Sequence, residues 1–130
     1  MFETRSLPEQ PNALAPDGSE IRLLSTALGR GSMVQTRLRP GGVTRAVRHR
    51  TVEEMWFCTS GRGRVWRRSA EGEEEVTEMR PGVSLSVPTG TAFQFRCDGR
   101  EPLEIVIATM PPWPGDGEAM PCDGPWTPTV

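Results

Sequence analysis

One histidine occurs in the 130 residues, five positions before a glutamate: His49 and Glu54, within GGVTRAVRHRTVEEMWFCTSGRG (41–63). An imidazole and a carboxylate at that spacing serve either as two ligands of a metal ion or as an acid–base pair. Arg45 lies four residues upstream, and two thiols, Cys58 and Cys97, follow downstream. All fifteen basic residues are arginine, and neither lysine nor tyrosine is present. Schiff-base chemistry is therefore excluded, and no phenol can donate a proton. Proton transfer falls to His49, a carboxylate, a thiol, or a bound water or metal.

These groups must be positioned by strands. Nine short runs rich in valine, threonine, phenylalanine and tryptophan read as extended: 20–28, 32–39, 43–49, 54–59, 63–68, 74–79, 83–87, 92–97 and 103–109. Turn signals such as RPGG, TSGRG, PTGT and CDGREP separate them. No window carries helical periodicity. Many short strands joined by glycine and proline turns point to an all-β fold, a barrel or double-sheet jelly roll.

The reading divides the chain into an N-terminal leader or arm (1–19), a β-barrel (20–110) and a Pro/Trp-rich extension (111–130). The last twenty residues hold six prolines together with Trp113 and Trp126. Prolines keep such a segment out of a sheet interior, while the indoles anchor it on the barrel or on a partner subunit.

Composition narrows the partners. Net charge is −2, and the seven arginines between Arg45 and Arg68 are offset by EGEEE at 71–75, so nucleic acid is not an expected partner. No run is apolar enough for a membrane span, and the polar start lacks a signal-peptide core. Three cysteines do not make a disulfide framework. The expectation is a cytoplasmic protein with reduced thiols, paired as a homodimer because open sheet edges need cover.

With strands and turns laid out, the chain resembles the cupin superfamily. The first motif of that family fits Gly41, Val47, His49, Glu54 and Gly61, and the second fits Gly82, Pro88, Gly90, Phe93 and Cys97. The resemblance implies a jelly-roll barrel over roughly 20–110. The ending MPPWPGDGEA…GPW is also similar to that of small uncharacterised bacterial members. Metal-binding relatives hold an ion with three histidines and the glutamate. Here Val47 and Phe93 replace two of those histidines, so no tightly bound metal and no other cofactor is expected. His49 and Glu54 leave room only for a weakly held divalent ion, or for a site shared with Cys58 or Cys97.

If His49 points inward as the resemblance implies, strand alternation turns Val43, Arg45 and Val47 inward as well. The same rule brings in Glu54, Trp56 and Cys58, and then Phe93, Phe95 and Cys97. The expected lumen sets Arg45, His49 and Glu54 among Val47, Trp56, Phe93 and Phe95, a pocket suited to a small molecule. His49 would act as general base or acid, Glu54 would raise its basicity, and Arg45 would hold a developing oxyanion. That set suits a metal-independent isomerase, epimerase, cyclase or lyase. A non-catalytic degenerate cupin, binding a small ligand or serving in assembly, is the alternative. A metal-dependent enzyme with an incomplete ligand set fits least well. Each group also has a structural role open to it, as a satisfied buried pair, a snorkelling arginine or core aromatics.

Overall fold

Strand begins at Ala13, within a computed structural model that describes residues 2–130; of the expected 1–19 leader, Met1 alone lies outside them. In chain order the elements are β1 (Ala13–Leu14), β2 (Glu20–Leu23), β3 (Ser32–Leu38), β4 (Val47–His49), β5 (Glu53–Ser60) and β6 (Gly63–Arg68). There follow β7 (Glu74–Met79), β8 (Ser84–Val87), β9 (Ala92–Cys97), β10 (Leu103–Met110) and β11 (Ala119–Pro121). No helix forms among the described residues.

Two antiparallel sheets face each other, ordered β1-β2-β3-β10-β5-β8 and β11-β4-β9-β6-β7. This is a jelly-roll arrangement. Alternation is cleanest in β5, where Glu54, Trp56 and Cys58 are buried while Met55 and Phe57 are half exposed. β10 alternates likewise, with Leu103, Ile105, Ile107 and Thr109 turned inward. Between the sheets, Trp56, Phe95, Leu38, Met79, Leu103 and Ile105 form the core. Full burial of a side chain of this size contributes about 1.5–3 kcal/mol.

Gly61 ends β5 with φ +83°, and any Cβ there would collide with the backbone of Pro102 and Leu103. Only glycine fits that turn.

β9 departs from alternation: Ala92, Phe93, Gln94 and Phe95 are all buried. The cause is the tail, which covers the outer face of the second sheet. Trp126 and Cys122 pack on Ala46, Trp66 and Ala92. The Gln94 side chain donates to the carbonyls of Thr44 (2.7 Å) and Trp126 (2.8 Å) and accepts from the Trp126 N–H (3.1 Å). The guanidinium groups of Arg64 and Arg96 lie 5.9 and 5.4 Å from the Trp126 ring. The tail thus lies against its own barrel. It also contributes β11, which pairs Ala119 with His49 and Pro121 with Val47. Proline is tolerated there because β11 is an edge strand. The other unexpected strand, β1, is an edge of the six-stranded sheet, pairing with β2. The run 20–28 is strand only to Leu23.

One expectation is overturned here. Residues 43–49 are not one strand: β4 starts at Val47, and Val43 makes only an isolated bridge to Arg96. Val43, Thr44 and Ala46 are all buried while Arg45 is exposed, so the two-residue period fails across this segment.

Candidate functional site

A cavity of about 200 Å³ opens between the sheets, lined by β1, β2, β3, β5 and β10 of one sheet, by β4, β9 and β11 of the other, and by the turn ahead of β2. Val47, His49, Glu54, Trp56 and Phe93 line it, together with Asp17, Trp113 and Ala119. The β4–β9 register sets Val47 directly opposite Phe93, and β11 holds the outer side of β4 at His49.

His49 is 5% exposed. Its ring stands edge-on to Phe93 at 5.2 Å and to Trp113 at 5.0 Å. Trp56 continues the aromatic wall, edge-on to Phe93 and to Phe95, both at 5.3 Å. The carboxyl of Glu54 is 6% exposed; its Oε1 accepts the indole N–H of Trp56 at 2.9 Å. Its Oε2 lies 3.9 Å from His49 Nδ1, too far for a hydrogen bond. That nitrogen is buried with no hydrogen-bond partner.

The electrostatics follow from burial. Desolvation pushes Glu54 up to about 7, the Trp56 N–H opposes this, and the negative charges of Asp17 and Glu118 add to it. Desolvation also pushes His49 below the ordinary imidazole value, with Glu118 acting the other way. The expected dyad is therefore corrected: Glu54 does not raise the basicity of His49, because burial governs both groups. Burial thus favours an acid beside a neutral imidazole over an ion pair.

Asp17 is 7% exposed and is pushed upward by burial, against the Ser19 N–H and hydroxyl and the charge of Arg45. Burial also raises Glu118, but the N–H groups of Thr51 (2.8 Å) and Val52 (2.6 Å) and the Thr51 hydroxyl outweigh it, leaving the carboxyl below its usual range.

Arg45 does not enter the lumen. Its side chain is exposed; its backbone N–H donates to the Asp17 carbonyl at 2.9 Å, which fixes the segment with the guanidinium outward. Phe95 is buried but supports Trp56 from beneath instead of lining the cavity. The thiols of Cys58 and Cys97 point to the carbonyls of Ser60 and Glu101, and neither residue lines the cavity. Asp17, Trp113 and Glu118 escaped the sequence reading. Asp17 sits in a PDGS turn and the other two in the proline-rich tail, where no strand period assigns a direction.

The donors do not fit a first-row metal ion. Val47 and Phe93 present only carbon at the two positions where the family resemblance implies imidazoles, and a catalytic ion needs about three protein ligands. No three His, Cys, Asp or Glu side chains are grouped closely enough among the described residues.

Comparison with known proteins agrees with the fold. Residues 34–109 match the family model described as a cupin domain. An uncharacterized protein of Methanocaldococcus jannaschii is 28% identical over 104 residues, covering 77% of this chain and 79% of that protein. A recombinant oxalate oxidase solved with glycolate superposes with a TM-score of 0.71 at 21% identity, over 87% of this chain and 61% of that one. A Bacillus subtilis oxalate decarboxylase variant gives 0.74 at 16%, over 93% and 33%. Drosophila melanogaster CENP-C, solved bound to CAL1, gives 0.63 at 14%, over 72% and 76%. This chain thus spans less than two thirds of the oxalate oxidase and a third of the decarboxylase. At these identities the likeness to the solved structures is one of fold. The chain belongs to the cupin family.

Proposed function

We propose that the protein binds a small organic molecule in the lumen of its barrel and moves a proton on it without a resident metal. The observation that carries this reading is the pair lining the cavity, His49 with its Nδ1 partnerless 3.9 Å from Glu54 Oε2. Burial pushes Glu54 up to about 7 and His49 below the ordinary imidazole value. A general acid and a general base with those protonation states are both ready near neutrality. His49 would take a proton from carbon next to a carbonyl while Glu54 delivers its own proton to the carbonyl oxygen. Reprotonation of the resulting enol at a neighbouring carbon gives an isomerisation. Attack of the enol carbon on a second carbonyl of the same molecule, whose oxygen is protonated in turn, gives a cyclisation. No oxidant is needed. Without Arg45 in the lumen, charge on oxygen is avoided by protonation and not held by a cation.

The test is exchange of the protons beside the carbonyl of cyclohexanone, followed by NMR in D2O. Faster exchange with the protein than with buffer, lost in folded His49→Ala and Glu54→Gln, supports the reading. Equal exchange in all three proteins overturns it.

A further inference from the structure

The polar groups of the cavity all lack positive charge. Two acids line it, Asp17 from the arm and Glu54 from β5, and a third, Glu118, is close enough to act on both His49 and Glu54. No arginine lines it among the described residues; Arg45 acts on Asp17 only as the last of four influences, and from the solvent side. Trp56, Phe93 and Trp113 contribute the aromatic part of a wall that is otherwise mostly aliphatic.

Both lumen carboxyls keep an oxygen in reserve. The Ser19 N–H (2.9 Å) and hydroxyl (2.7 Å) both donate to Asp17 Oδ1, and Thr36 donates to the Ser19 hydroxyl at 2.6 Å, so this side of Asp17 is anchored and Oδ2 is left over. In Glu54, Oε1 takes the Trp56 N–H and Oε2 faces the partnerless Nδ1 of His49. Polar atoms buried without a partner cost free energy, and they are commonly completed by what binds.

From this juxtaposition we infer that the cavity takes a compact organic cation, an ammonium group held between Asp17 and the Glu54–His49 pair with its apolar body against the aromatic wall. The inference deepens the proposed function and rests on ligand binding in this lumen. An ammonium supplies the charge that two clustered carboxyls lack, and aromatic faces attract it further. An anionic ligand would meet two carboxyls and no cation in the same low-dielectric space. Size agrees: a cavity near 150 Å³ accommodates benzene, so the present one suits a single small ring bearing an aminomethyl group.

The experiment is an isosteric series at pH 8: benzylamine, benzyl alcohol and benzoate titrated into the full chain by calorimetry. Movement of the Trp56 indole N–H signal in proton–nitrogen spectra reports binding in the lumen. The expected order is benzylamine tighter than benzyl alcohol by roughly tenfold or more, with benzoate weakest. In Asp17→Asn, checked for folding by circular dichroism, the amine should fall to the level of the alcohol. Should that variant not fold, the wild-type series decides alone. Equal affinity for amine and alcohol, or preference for benzoate, overturns the cation and leaves lumen binding standing. Failure of all three probes to move the Trp56 signal overturns both readings.

Discussion

The indole of Trp113 stands edge-on to the His49 imidazole with centroids 5.0 Å apart, so a residue of the tail closes one flank of the chain's single histidine. Burial lowers His49, and part of that burial is Trp113. Trp113→Ala should therefore move the His49 titration back up toward the ordinary imidazole value, read from its ring C–H signal by NMR. Loss of the aromatic pair should reduce stability by about 1 kcal/mol. An unchanged titration would mean that the tail does not dry the site.

Glu54 sets the direction of a pH effect. Its folded value, about 7, lies above the ordinary carboxyl value of 4.5, so the folded state holds the proton more tightly. That contribution to stability is complete below 4.5 and is lost as pH rises through about 7. Buried Asp17 acts in the same direction, starting from 3.8. His49, lowered from 6.5, acts oppositely: its contribution is present above 6.5 and is lost as pH falls through the lowered value. Comparing urea midpoints of wild type and Glu54→Gln across pH 4 to 8 isolates the first effect. The advantage of wild type over the variant should shrink with rising pH, by roughly 3 kcal/mol at most. A constant difference would place Glu54 in water.

The missing imidazoles can be restored. Val47 and Phe93 are cross-strand partners beside His49, so Val47→His combined with Phe93→His puts three imidazoles and Glu54 around one point. The double variant should bind one divalent ion per chain by metal analysis after dialysis, where wild type retains none. No gain of metal would refute the shared direction of these side chains.

The tail's grip is equally open to measurement. Trp126→Ala removes the indole from Ala46, Trp66 and Ala92 and from two guanidinium groups. Stability should fall by about 2–3 kcal/mol, since the substitution empties a packed site. Limited proteolysis should then cut between Pro111 and Pro128 before the barrel. Resistance equal to wild type would mean that the Gln94 bonds suffice.

Why the sequence disclosed some of this and not the rest follows from local periodicity. Where a strand buries one face and solvates the other, as β5 and β10 do, parity alone orients Glu54, Trp56 and Cys58 correctly. Parity fails at Arg45, because residues 43–46 follow their hydrogen bonds to Phe95 and Asp17 instead of a ladder. It is also blind in β9, whose outward Gln94 is buried by a segment thirty residues later in the chain. Asp17, Trp113 and Glu118 reach the site from irregular chain, so only three-dimensional packing discloses them.

The partition of the cavity between barrel and flanks has an evolutionary corollary. Trp113 and Ala119 come from a terminal ribbon, and Asp17 from a turn ahead of β2; Ala119 packs against the between-sheet core around Trp56, Phe95 and Leu103, and Trp113 and Asp17 lie outside it. On the proposed function, preference for a lumen ligand drifts by exchange of these outlying segments while the between-sheet core stays intact. A chimera with residues 111–130 exchanged tests it by a changed order of affinities for the same probes.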